Sequence, residues 1–271
     1  MTITQAKFEK YVPSFRNATE EVFQKVEDFI EEEKLQLSTK FGAAYEEKLN
    51  DARLAEKTVC TGAAYHVFSH MDIVLTATGF GVVRNDHLTP ASRERTGALR
   101  DDLRKEYSRL LDVMLATLLR SDWKESTEAA ILIDSLLYCP TMLRRYGVKT
   151  PQGGEIYHDE MLAIAGALAE SAASVERCMS PELYADLVMK QRDEAGMEPE
   201  ERLVLEAARK YQAALLIASH PKSAVELHKR LVRLLEQYST VLTAYANSST
   251  YAANHFQRYE NKQEDPTFFF G

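Results

Sequence analysis

Apolar residues recur at three- and four-residue spacing along nearly all of this 271-residue chain, and one segment breaks the pattern. It runs from Thr76 to Arg95 and reads TATGFGVVRNDHLTPASRER. Gly79, Gly81 and the Asn85-Asp86 pair supply turn chemistry, and Thr89-Pro90 restarts a helix. Helical stripes on either side of the segment must bury themselves against one another, which points to an all-α fold. A long structured insertion in such a chain is uncommon, and insertions of that kind tend to carry function.

Caps and breakers divide the rest. Thr4 caps a first short helix, with Ile3 and Phe8 spaced as a hydrophobic staple, and Pro13 ends it. Asn17 and Glu20 form a capping-box pattern before a stripe of Val22, Phe23, Val26, Phe29 and Ile30, which leaves Glu31-Glu32-Glu33 as the wet side. Gly42 is a natural stop. A second long helix is expected from about Glu46 to Thr76, burying Ala52, Ala55, Val59, Ala63, Val67 and Val74. After the insertion, a helix through Leu99, Leu103, Tyr107, Leu110, Met114 and Leu118 leads to another that buries Trp123, Ile131, Ile133, Leu136 and Leu137.

The Gly- and Pro-rich stretch 147–154 is the strongest candidate boundary. Helices of about 156–178, 181–194, 200–219 and 223–247 follow it. The expectation is two antiparallel helical bundles: 1–146, carrying the long extended loop at 76–92, and 155–248. An extended tail, 249–271, would complete the chain. The bundles show signs of a common origin. Ala63–His70 (AAYHVFSH) and Ala213–His220 (AALLIASH) agree at four of eight positions, at an offset of 150. Arg109-Leu110-Leu111 pairs with Arg233-Leu234-Leu235 at an offset of only 124, so the first half is longer between its two matches, where the insertion lies.

The formal charge of −8 argues against a general nucleic-acid or anionic-membrane binder, and no run is long and apolar enough to span a membrane. Arg93, Arg95, Arg100, Arg104 and Lys105 are interleaved with acids and read as a solvated helix face. Cys60, Cys139 and Cys178 are too widely spaced for a zinc knuckle or a disulfide scaffold, and read as buried reduced thiols. His66 and His70 share a helix face, but position 67 is Val, so the general base of a zincin is missing. A di-iron bundle needs Glu-x-x-His on two helices, and the chain has that spacing once, at Glu155–His158. Tyr157-His158-Asp159-Glu160 looks reactive in isolation, but Asp159 and Glu160 suit a helix N-terminus. There is no phosphate-binding loop and no nucleophile elbow. No cofactor or metal is expected.

Interaction chemistry remains. Phe80, Arg84, Asn85 and Asp86 in the insertion, and Phe268, Phe269 and Phe270 at the end, are the candidate contact residues. Three pieces of sequence carry a resemblance: Ile3 to Pro13 (ITQAKFEKYVP), Leu75 to Asn85 with Pro90 to Arg95, and Thr267 to Gly271 (TFFFG). In them the chain is similar to an uncharacterised helical family of prophage-like regions in gut bacteria. In outline it resembles head–tail connector (head-completion adaptor) proteins of tailed phages. The resemblance implies a non-enzymatic structural or assembly protein acting through self-association or through portal and tail-adaptor partners, in the host cytoplasm or in a virion. The runner-up is a helical regulatory module that binds a partner between its bundles. Third is an unrecognised helical enzyme using His66, His70, Tyr157 and His158.

Overall fold

A computed structural model describes residues 1–16, 20–74, 81–84, 87–90, 93–193, 196–217 and 221–256. The chain is all-α, with one small hairpin. In the first part the helices are α1 (Gln5–Tyr11), α2 (Glu20–Phe41), α3 (Tyr45–Leu49), α4 (Ala52–Val74), α5 (Arg93–Leu118), α6 (Thr127–Leu132) and α7 (Pro140–Arg145). The second part holds α8 (Ala165–Met179), α9 (Pro181–Lys190), α10 (Pro199–Leu216), α11 (Pro221–Gln237), α12 (Thr243–Ala246) and α13 (Ser249–Asn254). Within the insertion, β1 (Gly81–Arg84) and β2 (His87–Pro90) pair antiparallel, with Gly81 opposite Pro90 and Arg84 opposite His87. The loop read from sequence as extended is therefore in part a hairpin.

Local chemistry sets the helix ends. Thr4 Oγ1 accepts from the Lys7 amide at the start of α1, and Pro13 follows its end. Gly42, at φ +86°, closes α2. The helix expected from Glu46 to Thr76 is broken at Asn50, which is left-handed at φ 51°. Asp51 then opens α4, its Oδ1 accepting from the Arg53 and Leu54 amides at 3.0 and 3.1 Å. Of the face assigned to that helix, Ala55, Val59, Ala63 and Val67 are buried, whereas Ala52, in the first turn, is exposed. Val74 has no described side-chain environment. The helix expected after Ser121 is instead a 3-10 turn (Asp122–Glu125) followed by α6, each capped by a serine. Ile131 points outward at 70% exposure, while Trp123, Ile133, Leu136 and Leu137 are buried. The tail is also shorter than read, because Ser248 Oγ accepts from the Tyr251 amide and opens α13 within 249–271.

Three hydrophobic clusters organise the interior. The first is built from α1 to α6 and closed by Trp123, whose Nε1 donates to the Phe41 carbonyl at 2.7 Å. The second gathers Leu136 with α8 to α12. The third joins Leu137, Leu143, Val148, Ile156, Leu168 and Ala213. The changeover occurs within 133–139, where Ile133 and Cys139 face the first cluster, Leu136 the second and Leu137 the third. This stretch is irregular yet buried, so its carbonyls need partners other than water. Gln191 Nε2 donates to the Ser135 carbonyl at 2.8 Å, and Arg209 Nε to the Leu136 carbonyl at 3.3 Å. Residues 149–154 of the Gly- and Pro-rich stretch form a surface turn, with Val148 and Ile156 on either side of it buried together.

The α4–α5 and α10–α11 pairs make the most extensive helix contacts. The echoed segments fall on these pairs: 63–70 on α4, 109–111 on α5, 213–216 on α10 and 233–235 on α11.

Candidate functional site

A cleft of about 210 Å³ opens between α2, α4, α5 and a 3-10 turn at His158–Glu160. Behind two of its lining residues, His66 and Tyr107, sits Glu33, which is fully buried. The sequence places Glu33 on the wet side of α2, but Val26, Ile30, Glu33 and Leu37 form one continuous stripe at four- and three-residue spacing. The Tyr107 hydroxyl donates to Glu33 Oε1, and His66 Nε2 lies 3.4 Å from Oε2. Gly62 makes room for this carboxylate: a Cβ there would sit 2.5 Å from Glu33 Cδ and 2.7 Å from Tyr107 Cε2. Burial, and then the charge of Glu33, hold the Tyr107 hydroxyl well above its ordinary pKa.

The rim is built around Arg104. Its Nε and Nη2 donate to Asp159 Oδ2 at 2.9 Å each, and Nη2 reaches Glu160 Oε1 at 3.0 Å. The Tyr65 hydroxyl donates to the same Asp159 oxygen at 3.0 Å. The Tyr157 ring lies beneath both Arg104 (4.7 Å) and Arg144 (5.5 Å). Burial works against the Arg104 charge, but Asp159 and Glu160 outweigh it and raise the pKa. Arg104 is thus a clamp between α5 and the 158–160 turn, not part of a solvated face. Glu160 also caps the turn, accepting from the Tyr157 amide at 3.1 Å, as its sequence position suggested.

On the far wall His158 bridges two charges. Its Nε2 is 2.8 Å from Asp112 Oδ1, and its Nδ1 is 3.1 Å from Lys40 Nζ. Asp112 also accepts from the Thr141 hydroxyl and, at 3.5 Å, from Arg144 Nη2. Burial lowers the His158 pKa, with the Asp112 hydrogen bond opposing it, so the ring is neutral near pH 7. Burial also lowers that of Lys40, which Asp112 and Glu33 only partly restore.

The tertiary structure therefore brings His66 and His158 to one cleft with Tyr157 at its edge. Lys40, Glu33, Asp112, Tyr65 and Tyr107 complete it, none of them singled out by motif. The stripe spacing of Glu33 was the one available signal. The His70 side chain lies outside what is described. So do Phe80, Asn85 and Asp86 of the insertion, and Phe268, Phe269 and Phe270 of the tail. Arg84 ends β1 opposite His87.

Among the described residues, no group of three or more His, Cys, Asp or Glu is placed to hold a metal, and no helix is long and apolar enough to cross a membrane. Cys60 and Cys139 are buried and Cys178 is half-buried; burial pushes their thiols up to about 12, 12 and 11. At those values they are protonated and unreactive near neutrality.

Residues 19–131 match the model of a family of unknown function, DUF6712. The matched stretch contains α2 to α5 and the hairpin, and it stops just before the buried 133–139 joint. No curated protein and no solved structure matches the chain.

Proposed function

We propose that the protein is a non-enzymatic assembly protein of phage or prophage origin, connector-like, that works through contacts between subunits. The observation that carries this reading is the hairpin set between the two longest described helices, α4 and α5 aside from their flanks. Among the described residues, β1 and β2 pair only with each other, which leaves both outer edges without a strand partner. An isolated two-stranded hairpin is marginal in water, and an open edge is a template for pairing with another chain. A neighbouring subunit would supply that missing partner. The insertion lies inside the stretch that matches the family model. Its proposed contact residues are Phe80, Arg84, Asn85 and Asp86, joined by Phe268 to Phe270 of the tail.

The test is the assembly state of the full chain, alone and mixed with portal and tail-adaptor proteins, by light scattering and negative-stain microscopy. A closed ring is expected for the full chain. A variant with residues 79–91 replaced by a short Gly-Ser linker should remain monomeric. A full chain that stays monomeric with every such partner, or a linker variant that assembles equally well, overturns the proposal.

A further inference from the structure

Lys40, in the last turn of α2, lines the cleft, and its Nζ has one hydrogen-bond partner among the described residues, His158 Nδ1. The Asp112 carboxylate can only accept, so its contact with His158 Nε2 places the ring proton there. The lone pair of Nδ1 is thereby turned toward the lysine. Ser108 Oγ is buried, lines the same cleft and has no partner among the described residues. Asp159, the acid that lines the cleft, is engaged by Arg104 and Tyr65, and the acids behind its wall are engaged too, Glu33 by Tyr107 and His66 and Asp112 by Thr141 and Arg144. The free capacity of the cleft is thus an amine and a hydroxyl donor beside an oriented imidazole. An amine so placed forms imines with carbonyl compounds.

We propose that the cleft captures a small carbonyl compound, an aldehyde or 2-oxo acid, as an imine on Lys40. The Lys40 nitrogen attacks the carbonyl carbon to form a C–N bond, and His158 Nδ1 takes the proton that the nitrogen sheds. Ser108 Oγ donates a hydrogen bond to the oxygen as negative charge gathers there. That oxygen takes one proton from solvent and the one held by His158, and leaves as water as C=N forms, the nitrogen keeping its last proton as a protonated imine. One water is released, and no oxidant or reductant is consumed. Asp112 is a positioning residue, holding the imidazole and balancing its transient charge. This site is independent of the subunit contacts proposed above, since it lies within one chain.

The test uses the intact protein with glyoxylate and cyanoborohydride, which reduces the imine to a stable amine, and reads modification of each lysine by peptide mass spectrometry. At pH 7 Lys40 should react faster than the exposed Lys10 and Lys105, since burial lowers its pKa and so raises its free-amine fraction. The excess should shrink at about pH 10, where ordinary lysines also lose their protons. His158→Gln should remove most of it, with thermal unfolding confirming that the variant is folded. Lys40 reacting no faster than Lys10 and Lys105 at pH 7 overturns the proposal, even if that variant fails to fold. So does a folded His158→Gln protein that reacts at the native rate.

Discussion

The molecule arranges polar groups in two ways. At the 133–139 joint, Ser135, Ser171, Gln191, Arg209 and Gln212 form a network that is mostly neutral and serves the backbone. Gln191 and Arg209 satisfy the carbonyls of the irregular 133–139 joint, Arg209 Nη2 reaches Gln191 Oε1 at 3.1 Å, and Gln212 Nε2 ties Ser135 to Ser171. At the cleft, buried Glu33, half-buried Lys40, Arg104 and Asp112 and exposed Asp159 are ionisable and bond chiefly to one another and to His158, Tyr65 and Tyr107, around an open space. A network that satisfies buried backbone has an architectural reason to exist. One that concentrates charge beside a cavity has no such need, and burying its Glu33 is costly without good pairing. That contrast marks the cleft as the place to look for binding.

The sharpest way to break the comparison is Gly62→Ala. The added methyl would overlap both Glu33 and Tyr107, and overpacking should cost about 3 kcal/mol in urea unfolding. A loss below about 0.5 kcal/mol would mean that the Glu33 carboxylate moves aside freely, and the cleft network would no longer count as built. Gln212→Ala tests the other network. Removing the amide that links Ser135 and Ser171 should cost about 2 kcal/mol, with the glyoxylate reactivity of Lys40 unchanged. Altered Lys40 labelling in that variant would show the two networks to be coupled. The smallest effect is expected from pH. Burial depresses the folded-state pKa of His158, so the folded protein binds fewer protons than the unfolded chain below the ordinary histidine value. The stability involved is present above about pH 6.5 and is lost as pH falls through the depressed value. Wild-type protein should therefore lose more stability between about pH 7 and pH 5 than His158→Gln, while Gln212→Ala keeps the native slope. Equal slopes for wild type and His158→Gln would remove His158 from the account.

Much of the helical frame was legible in the residues. Thr4, Gly42, Ser121 and Ser180 stand where they cap or end elements, because a cap is satisfied by atoms within a few positions. The break at Asn50 was missed because the flanking apolar period runs through it and only the left-handed backbone reveals the stop. Ile131 faces outward, against the apolar period, because Ser121 and Ser126 impose two short elements where that period alone suggests one helix.

By itself, then, the sequence determined an all-α chain, most of its helix ends and the position of its one insertion, since spacing and capping are local properties. Only the tertiary structure decided that Glu33 turns inward beneath Gly62, and that 133–139 is a buried joint. It alone joined Lys40 to His158 across 118 positions and His158 to Asp112 across 46. Those pairings depend on how α2, α4 and α5 settle against the 158–160 turn. No helical period or cap encodes a contact between elements so far apart in the chain.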